Sequence, residues 1–171
     1  PDGCEKYFAM RQRGDATGFS MIGDSRTSDL TIGGGLNSRN WFNWACAYYK
    51  QTPVLVANYG VSSKRTDEYL TNGNFEAALA DGAQWLIFGF PAVNDISQAA
   101  SGYTDTYGRA VTLSNVAAYA LENVISYAKQ AVNAGKRVIL LTEPGSTALA
   151  ASAVAVVHEY NRLLKSRISE V

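Results

Sequence analysis

Four short apolar runs, at 19–22, 54–58, 84–88 and 138–142, constrain what this chain can fold into more than any other feature. Each is bounded by polar or glycine-containing segments and is apolar at consecutive positions, so both faces of each strand need cover. Strands of that kind build a parallel sheet with helices between them. Between the third and fourth runs, Leu113, Val116, Ala117, Ala120, Leu121, Val124, Ala128 and Val132 recur at three- and four-residue steps. That spacing predicts a long helix, with Ser114 as its cap and Gly135 as its stop. Shorter helices are expected over 40–49, where Trp41, Trp44 and Tyr48 share a face, over 66–80 and over 149–168. Gly33-Gly34-Gly35 and the stretch 97–108 read as loops. The expected fold is α/β and doubly wound, with ligands bound beyond the carboxyl ends of the strands.

A chain of 171 residues that is 47% hydrophobic has enough apolar surface for one core, and residues 1–171 read as a single domain. Fifteen basic and fifteen acidic residues cancel, which removes the field that would draw nucleic acid or an anionic membrane. No apolar run approaches the roughly 20 residues that span a bilayer, and the N-terminus lacks a secretion-signal pattern. Cys4 and Cys46 have no metal-ligand spacing; they read as two free thiols or as a pair. The chain begins at Pro1, which suggests processing or excision from a longer polypeptide and leaves the compartment open, an extracellular or virion-borne setting included.

Gly23-Asp24-Ser25 follows the apolar pair Met21-Ile22 and puts a serine at the tip of the first strand. A serine hydroxyl attacks poorly until a base takes its proton, and the oxyanion it creates needs fixed donors. Gly60 ends the second strand in Asn58-Tyr59-Gly60-Val61-Ser62, with no side chain to keep its N–H from a substrate oxygen. Asn94 is expected to end the third strand in Gly89-Phe90-Pro91-Ala92-Val93-Asn94-Asp95 and offers an amide donor. Ser25, Gly60 and Asn94 are therefore the candidate catalytic residues, and Asp24 is expected to brace the turn through local hydrogen bonds.

These blocks resemble those of the SGNH hydrolases, the GDSL-type esterases, and the resemblance runs from Phe19 to Val171. It implies a three-layer α/β/α, flavodoxin-like sandwich and hydrolysis of acyl esters, often acetyl groups on carbohydrate or lipid. It also implies Ser25 as nucleophile, with its own N–H, Gly60 and Asn94 holding the oxyanion, and it implies no cofactor or metal. Within the third block the usual glycine, one residue, then Asn-Asp is replaced by a glycine five positions before Asn94. The family's Asp, two residues, then His is absent: the one histidine is His158, and Ala155 stands three residues before it. Placed on a helix at about 100° per residue, His158 lies opposite Val156, Val157, Tyr160, Leu163 and Leu164 and reads as solvated. The domain is accordingly expected to be incomplete at its C-terminus, with a partner chain or a missing segment completing the site.

Other residues carry weaker signals. Asp67 and Asp95 read as loop or cap residues that could serve as a base. Trp41, Trp44, Tyr48 and Tyr49 read as core rather than a sugar platform, whereas Tyr103 and Tyr107 in a polar loop are candidates for substrate contact. Arg26 reads as solvating the first helix, or as a contact for an anionic substrate group. The leading function is a serine esterase acting on acylated carbohydrate. The alternative is a non-catalytic binding or structural module of a larger assembly, such as a multidomain surface or phage tail protein. A flavodoxin-like phosphate binder lacks a glycine-rich motif to support it.

Overall fold

The computed structural model describes residues 17–27, 53–89, 91–144 and 149–171. The helix expected over 40–49 with its aromatic residues, the Gly33-Gly34-Gly35 loop, Cys4 and Cys46 lie outside them. Strand β1 (Thr17–Gly23), β2 (Pro53–Asn58), β3 (Trp85–Gly89) and β6 (Arg137–Leu140) form one sheet in the order β2-β1-β3-β6, and every pairing is parallel. The four apolar runs are thus the four sheet strands. Between β3 and β6 a two-residue antiparallel ladder, β4 (Tyr103–Thr104) with β5 (Ala110–Val111), makes a small separate hairpin. The helices are α1 (Asn74–Ala80), α2 (Val93–Ala99), α3 (Val116–Asn133) and α4 (Ala151–Arg167).

The chain leaves β1 toward β2 on one side and returns to β3 on the other, so the strand order reverses between β1 and β3. Ligands of open α/β sheets sit at that reversal. In register, Ile22 lies beside Phe88 and Gly23 beside Gly89, which brings both strand ends to the same level. Beyond β2 the backbone still follows β1: Tyr59 N–H donates to the Met21 carbonyl at 2.7 Å and Val61 N–H to the Gly23 carbonyl at 2.9 Å.

Each sheet face has its own apolar cluster, as the consecutive apolar positions require. Ile22, Leu86 and Phe88 pack with Phe75 and Ala78 of α1 and with Val124, Tyr127, Ala128 and Ala131 of α3. Met21 and Ile87 point to the opposite face, with Phe19, Ile139 and Leu141 against them. A third cluster joins Ile96 of α2, Leu121 and Ile125 of α3, and Val157, Tyr160 and Leu164 of α4. Burying one such side chain stabilises by roughly 1.5–3 kcal/mol, and helix α3 contributes to both of the larger clusters. It stops where the sequence predicts: Gly135 has φ +83°, and the Lys136 N–H returns to the Ala131 carbonyl at 3.0 Å.

Three expectations need correction. Ser114 is not the cap of α3, because its hydroxyl pairs with Thr112 Oγ1 at 2.8 Å; Asn115 holds that position and spends its amide on Thr112 N–H and the Ala110 carbonyl. The helix expected over 66–80 is broken into a 3-10 turn, Thr66–Glu68, and α1, with Gly73 at φ +72° between them. The stretch 97–108 is less irregular than it reads, because α2 extends to Ala99 and β4 lies within it.

Candidate active site

The serine turn is built on two glycines and a threonine. A Cβ on Gly23 would lie 2.3 Å from the Gly89 carbonyl oxygen, and one on Gly89 would lie 2.3 Å from Thr27 Oγ1. Only bare backbone lets the ends of β1 and β3 meet here with Thr27 seated across them. The Thr27 hydroxyl donates to the Gly89 carbonyl at 2.9 Å, and Thr27 N–H closes the turn on the Asp24 carbonyl at 3.1 Å. Asp24 braces the turn as expected, accepting the Arg26 N–H at 2.8 Å. Ser25 is left half-buried at the tip, and its hydroxyl has no hydrogen-bond partner among the described residues.

Asn58, at the end of β2, ties this turn to the glycine of the second block. Its Nδ2 donates to the Thr27 carbonyl at 2.6 Å while its Oδ1 accepts the Gly60 N–H at 2.9 Å. That second bond corrects the expectation of a free Gly60 N–H: an Asx turn holds it. Asn94 does not end β3, as expected from the sequence, but stands in the first turn of α2, because the strand stops at Gly89; its Nδ2 donates to the Lys64 carbonyl at 2.9 Å. An amide NH₂ carries two hydrogens, so one remains for another acceptor. The next residue grips the same loop. Asp95 accepts both the backbone N–H and the hydroxyl of Thr66, at 3.0 and 2.7 Å. The segment from Gly60 to Thr66, with Ser63 at φ +65°, is thereby fastened to the serine turn at one end and to α2 at the other.

Charge around Ser25 is organised by Arg26, which neither points freely to solvent nor stands open for a substrate anion. Its guanidinium bridges two fully buried carboxylates, Asp24 at 2.9 Å and Glu143 at 2.5 and 2.9 Å. Burial pushes the Asp24 carboxyl up, against the pull of Arg26; for Arg26, burial works against the charge but Glu143 and Asp24 outweigh it and hold the guanidinium protonated. Glu143 was not among the candidates read from the sequence, nor were Asn58 and Thr27. A signal was present: an acidic residue follows the fourth apolar run directly, at the end of the sheet where sites form.

The remaining candidates are elsewhere. His158 is exposed on α4, whose buried face carries Ala153, Val157, Tyr160 and Leu164. Asp95 and Asp67 are committed to structure: Asp67 pairs with Arg65 at 2.8 Å and accepts the Thr106 N–H at 2.8 Å. Burial lifts the Asp95 carboxyl to about 7, with the Thr66 bonds opposing and the Asp67 charge adding to the rise. Tyr103 does have a neighbour, the Arg65 guanidinium 4.5 Å over its ring, and the exposed Tyr107 spends its hydroxyl on Tyr127 at 2.9 Å. Among the described residues no cluster of His, Cys, Asp and Glu could hold a metal ion. None of the described helices is long and apolar enough to cross a membrane.

The same chain path recurs in solved structures. TesA superimposes with a TM-score of 0.60 at 18% identity, over 90% of this chain and 74% of its own. A psychrotrophic esterase, EstA from a Pseudoalteromonas species, inhibited there by monoethylphosphonate, gives 0.61 at 11% identity, over 90% and 74%. A candidate acylhydrolase from Bacteroides fragilis gives 0.57 at 14%, over 98% and 73%. The chain therefore shares the α/β fold of esterases and acylhydrolases. No family model matches the sequence, and no curated protein matches it.

Proposed function

We propose that this chain is a serine ester hydrolase of the SGNH type, with Ser25 as nucleophile and an oxyanion site made by the Ser25 N–H, the Gly60 N–H and the Asn94 amide. The observation that supports it most is the tying of the serine turn, through Asn58, to the Gly60 loop that Asn94 also holds. Ser25 Oγ attacks the acyl carbon, its proton leaves to a base, and the tetrahedral oxyanion collapses to an acyl-serine as the alcohol departs with a proton. Water then adds to the acyl-serine, releasing the acid and restoring the hydroxyl. Release of Gly60 N–H from Asn58, or its sharing, is needed to complete the donor set. Among the described residues His158 faces solvent, Asp67 and Asp95 are held by other partners, and no base is bonded to the Ser25 hydroxyl. The shared fold with an esterase and a candidate acylhydrolase favours the ester reaction; acetyl groups on carbohydrate as the substrate rest on the resemblance of the blocks.

The occupied Gly60 N–H and the exposed His158 favour a second reading, a non-catalytic binding or structural module. Hydrolysis of p-nitrophenyl acetate, with mass-spectrometric detection of Ser25 labelling by a fluorophosphonate, separates the two. The esterase reading expects turnover and label in the chain and in His158→Ala, neither in Ser25→Ala, and kcat about a hundredfold lower in Asn94→Ala. Turnover and labelling independent of Ser25, or absent from the unaltered chain, would remove the esterase reading.

A further inference from the structure

We propose that Glu143 is a positioning residue of the Ser25 site, holding the nucleophile turn and the asparagine-bearing segment in one fixed arrangement; the inference rests on the esterase reading above. Glu143 stands just past β6, and its carboxylate reaches two elements at once. Both oxygens take the Arg26 guanidinium, at 2.5 and 2.9 Å, and Arg26 in turn grips Asp24 through Nε and NH2. Oε2 also accepts the N–H of Ala92 at 3.2 Å, and Ala92 is the residue on which α2, with Asn94 in its first turn, begins. The ends of β1, β3 and β6 therefore meet on one buried side chain.

The carboxylate is itself held in place. The Asn161 side chain of α4 accepts the Glu143 N–H at 2.8 Å and donates to the Glu143 carbonyl at 2.7 Å, a two-bond clasp that fixes the backbone from which the carboxylate projects. A guanidinium fork matched to a carboxylate fixes direction as well as distance. Ser25 lies between Asp24 and Arg26, both held in this network, so the backbone that carries its hydroxyl is held from either side. A shift of the Arg26–Glu143 pair would turn Ser25 and displace α2 together, and errors near 1 Å in a reacting geometry cost up to about a hundredfold in rate.

The test compares the chain with Glu143→Gln, Arg26→Lys and Leu164→Ala, reading folded fraction by circular dichroism, kcat and KM for p-nitrophenyl acetate, and the rate of Ser25 labelling by a fluorophosphonate. In the labelling step an Oγ–P bond forms as the P–F bond breaks, fluoride leaves, and the hydroxyl proton passes to solvent. Arg26→Lys keeps the charge but loses the fork, so it reports on positioning if Glu143→Gln fails to fold. Leu164→Ala lowers stability from the α4 core without touching the network and is expected to keep kcat. The proposal expects kcat and labelling about ten- to a hundredfold lower in Arg26→Lys and Glu143→Gln per folded molecule, with KM within about threefold. Wild-type kcat and labelling in both variants, with Ser25→Ala inactive, would overturn it and leave the esterase reading standing. Activity that survives Ser25→Ala, or no turnover and no label in the unaltered chain, would remove that reading and this inference with it.

Discussion

Thr27 is joined to Gly89 across the gap between β1 and β3, its hydroxyl donating to the Gly89 carbonyl oxygen at 2.9 Å. Two strand ends that are neighbours in the sheet are thereby closed over by the turn that carries Ser25, and this contact sets how the rest of the site can respond to change.

Gly89→Ala places a methyl 2.3 Å from Thr27 Oγ1, whereas Gly23→Ala places one 2.3 Å from the Gly89 carbonyl oxygen as well as 2.5 Å from Thr27 Oγ1. Both are expected to destabilise by at least about 1–3 kcal/mol. Pairing each with Thr27→Ala separates them: the Gly89→Ala loss is relieved more, because its clashes are all with the Thr27 side chain, and the Gly23→Ala loss is relieved less, because the Gly89 carbonyl stays in place. Urea denaturation of the four variants measures this, and equal relief in both pairs would contradict it.

Asn58→Asp keeps an acceptor for the Gly60 N–H but turns a carboxylate toward the Thr27 carbonyl oxygen, where an amide donor stood at 2.6 Å. A loss of about 1–3 kcal/mol is expected at pH 8. In acid the carboxyl protonates and its hydroxyl can replace the lost donor, so the variant should regain stability relative to wild type as pH falls. A constant difference from pH 8 to pH 4 would refute this.

Asp95 in the fold has a pKa raised by burial from 3.8 to about 7. Between those values the folded protein holds a proton that the unfolded chain has lost, so stability from this group falls as pH rises from about 4 to about 7. Each unit of difference is worth about 1.4 kcal/mol. In Asp95→Asn, which still accepts the Thr66 N–H and can donate to its hydroxyl, that decline should flatten. Some slope remains from Asp24, also raised by burial. Denaturation midpoints at closely spaced pH values give the comparison; superimposable pH profiles would count against it.

At the opposite end of the sheet, Lys136 directs its ammonium to Asp81 Oδ1 at 2.6 Å, the Asp81 carbonyl at 2.8 Å and the Ala83 carbonyl at 2.9 Å, with Ser20 donating to the same carboxylate. Lys136→Met leaves the half-buried Asp81 carboxylate short of its cation and is expected to cost about 1–3 kcal/mol at pH 7. Burial alone would raise the Asp81 carboxyl, but the Lys136, Ser20 and Ala83 bonds hold it below its ordinary 3.8. Its stabilisation is present above that value and lost as pH falls through the depressed one, so wild type and variant should converge in acid. Urea midpoints at pH 7 and in acid check this, and a gap that stays constant would argue against the pair.

The elements whose signal is local are legible in the order of the residues alone: the four strands, the stop of α3 at Gly135, and the solvated position of His158 on α4. Period and punctuation decide such features within a few residues of themselves. The Ser25 turn belongs with them, because Gly23, Asp24 and Thr27 lie within one turn of the chain. Less legible are the partners of each polar group. Ser114 and Asn115 are equally suited to cap a helix, and only the course of the hairpin before them assigns their bonds. Arg26 beside a serine reads as solvated until a carboxylate 117 residues later is brought against it.

By itself the sequence determined that this chain forms a parallel α/β sheet and that Ser25 and Gly60 stand just beyond its first two strands, since apolar patterning and glycine placement act through nearest neighbours. The tertiary structure alone decided that Asn58 engages the Gly60 N–H, that Asp95 is buried against Thr66, and that Glu143 stands at the junction of three strand ends. Hydrogen bonds and ion pairs between distant segments depend on where the sheet brings them, and a buried polar group takes whatever partner the fold supplies.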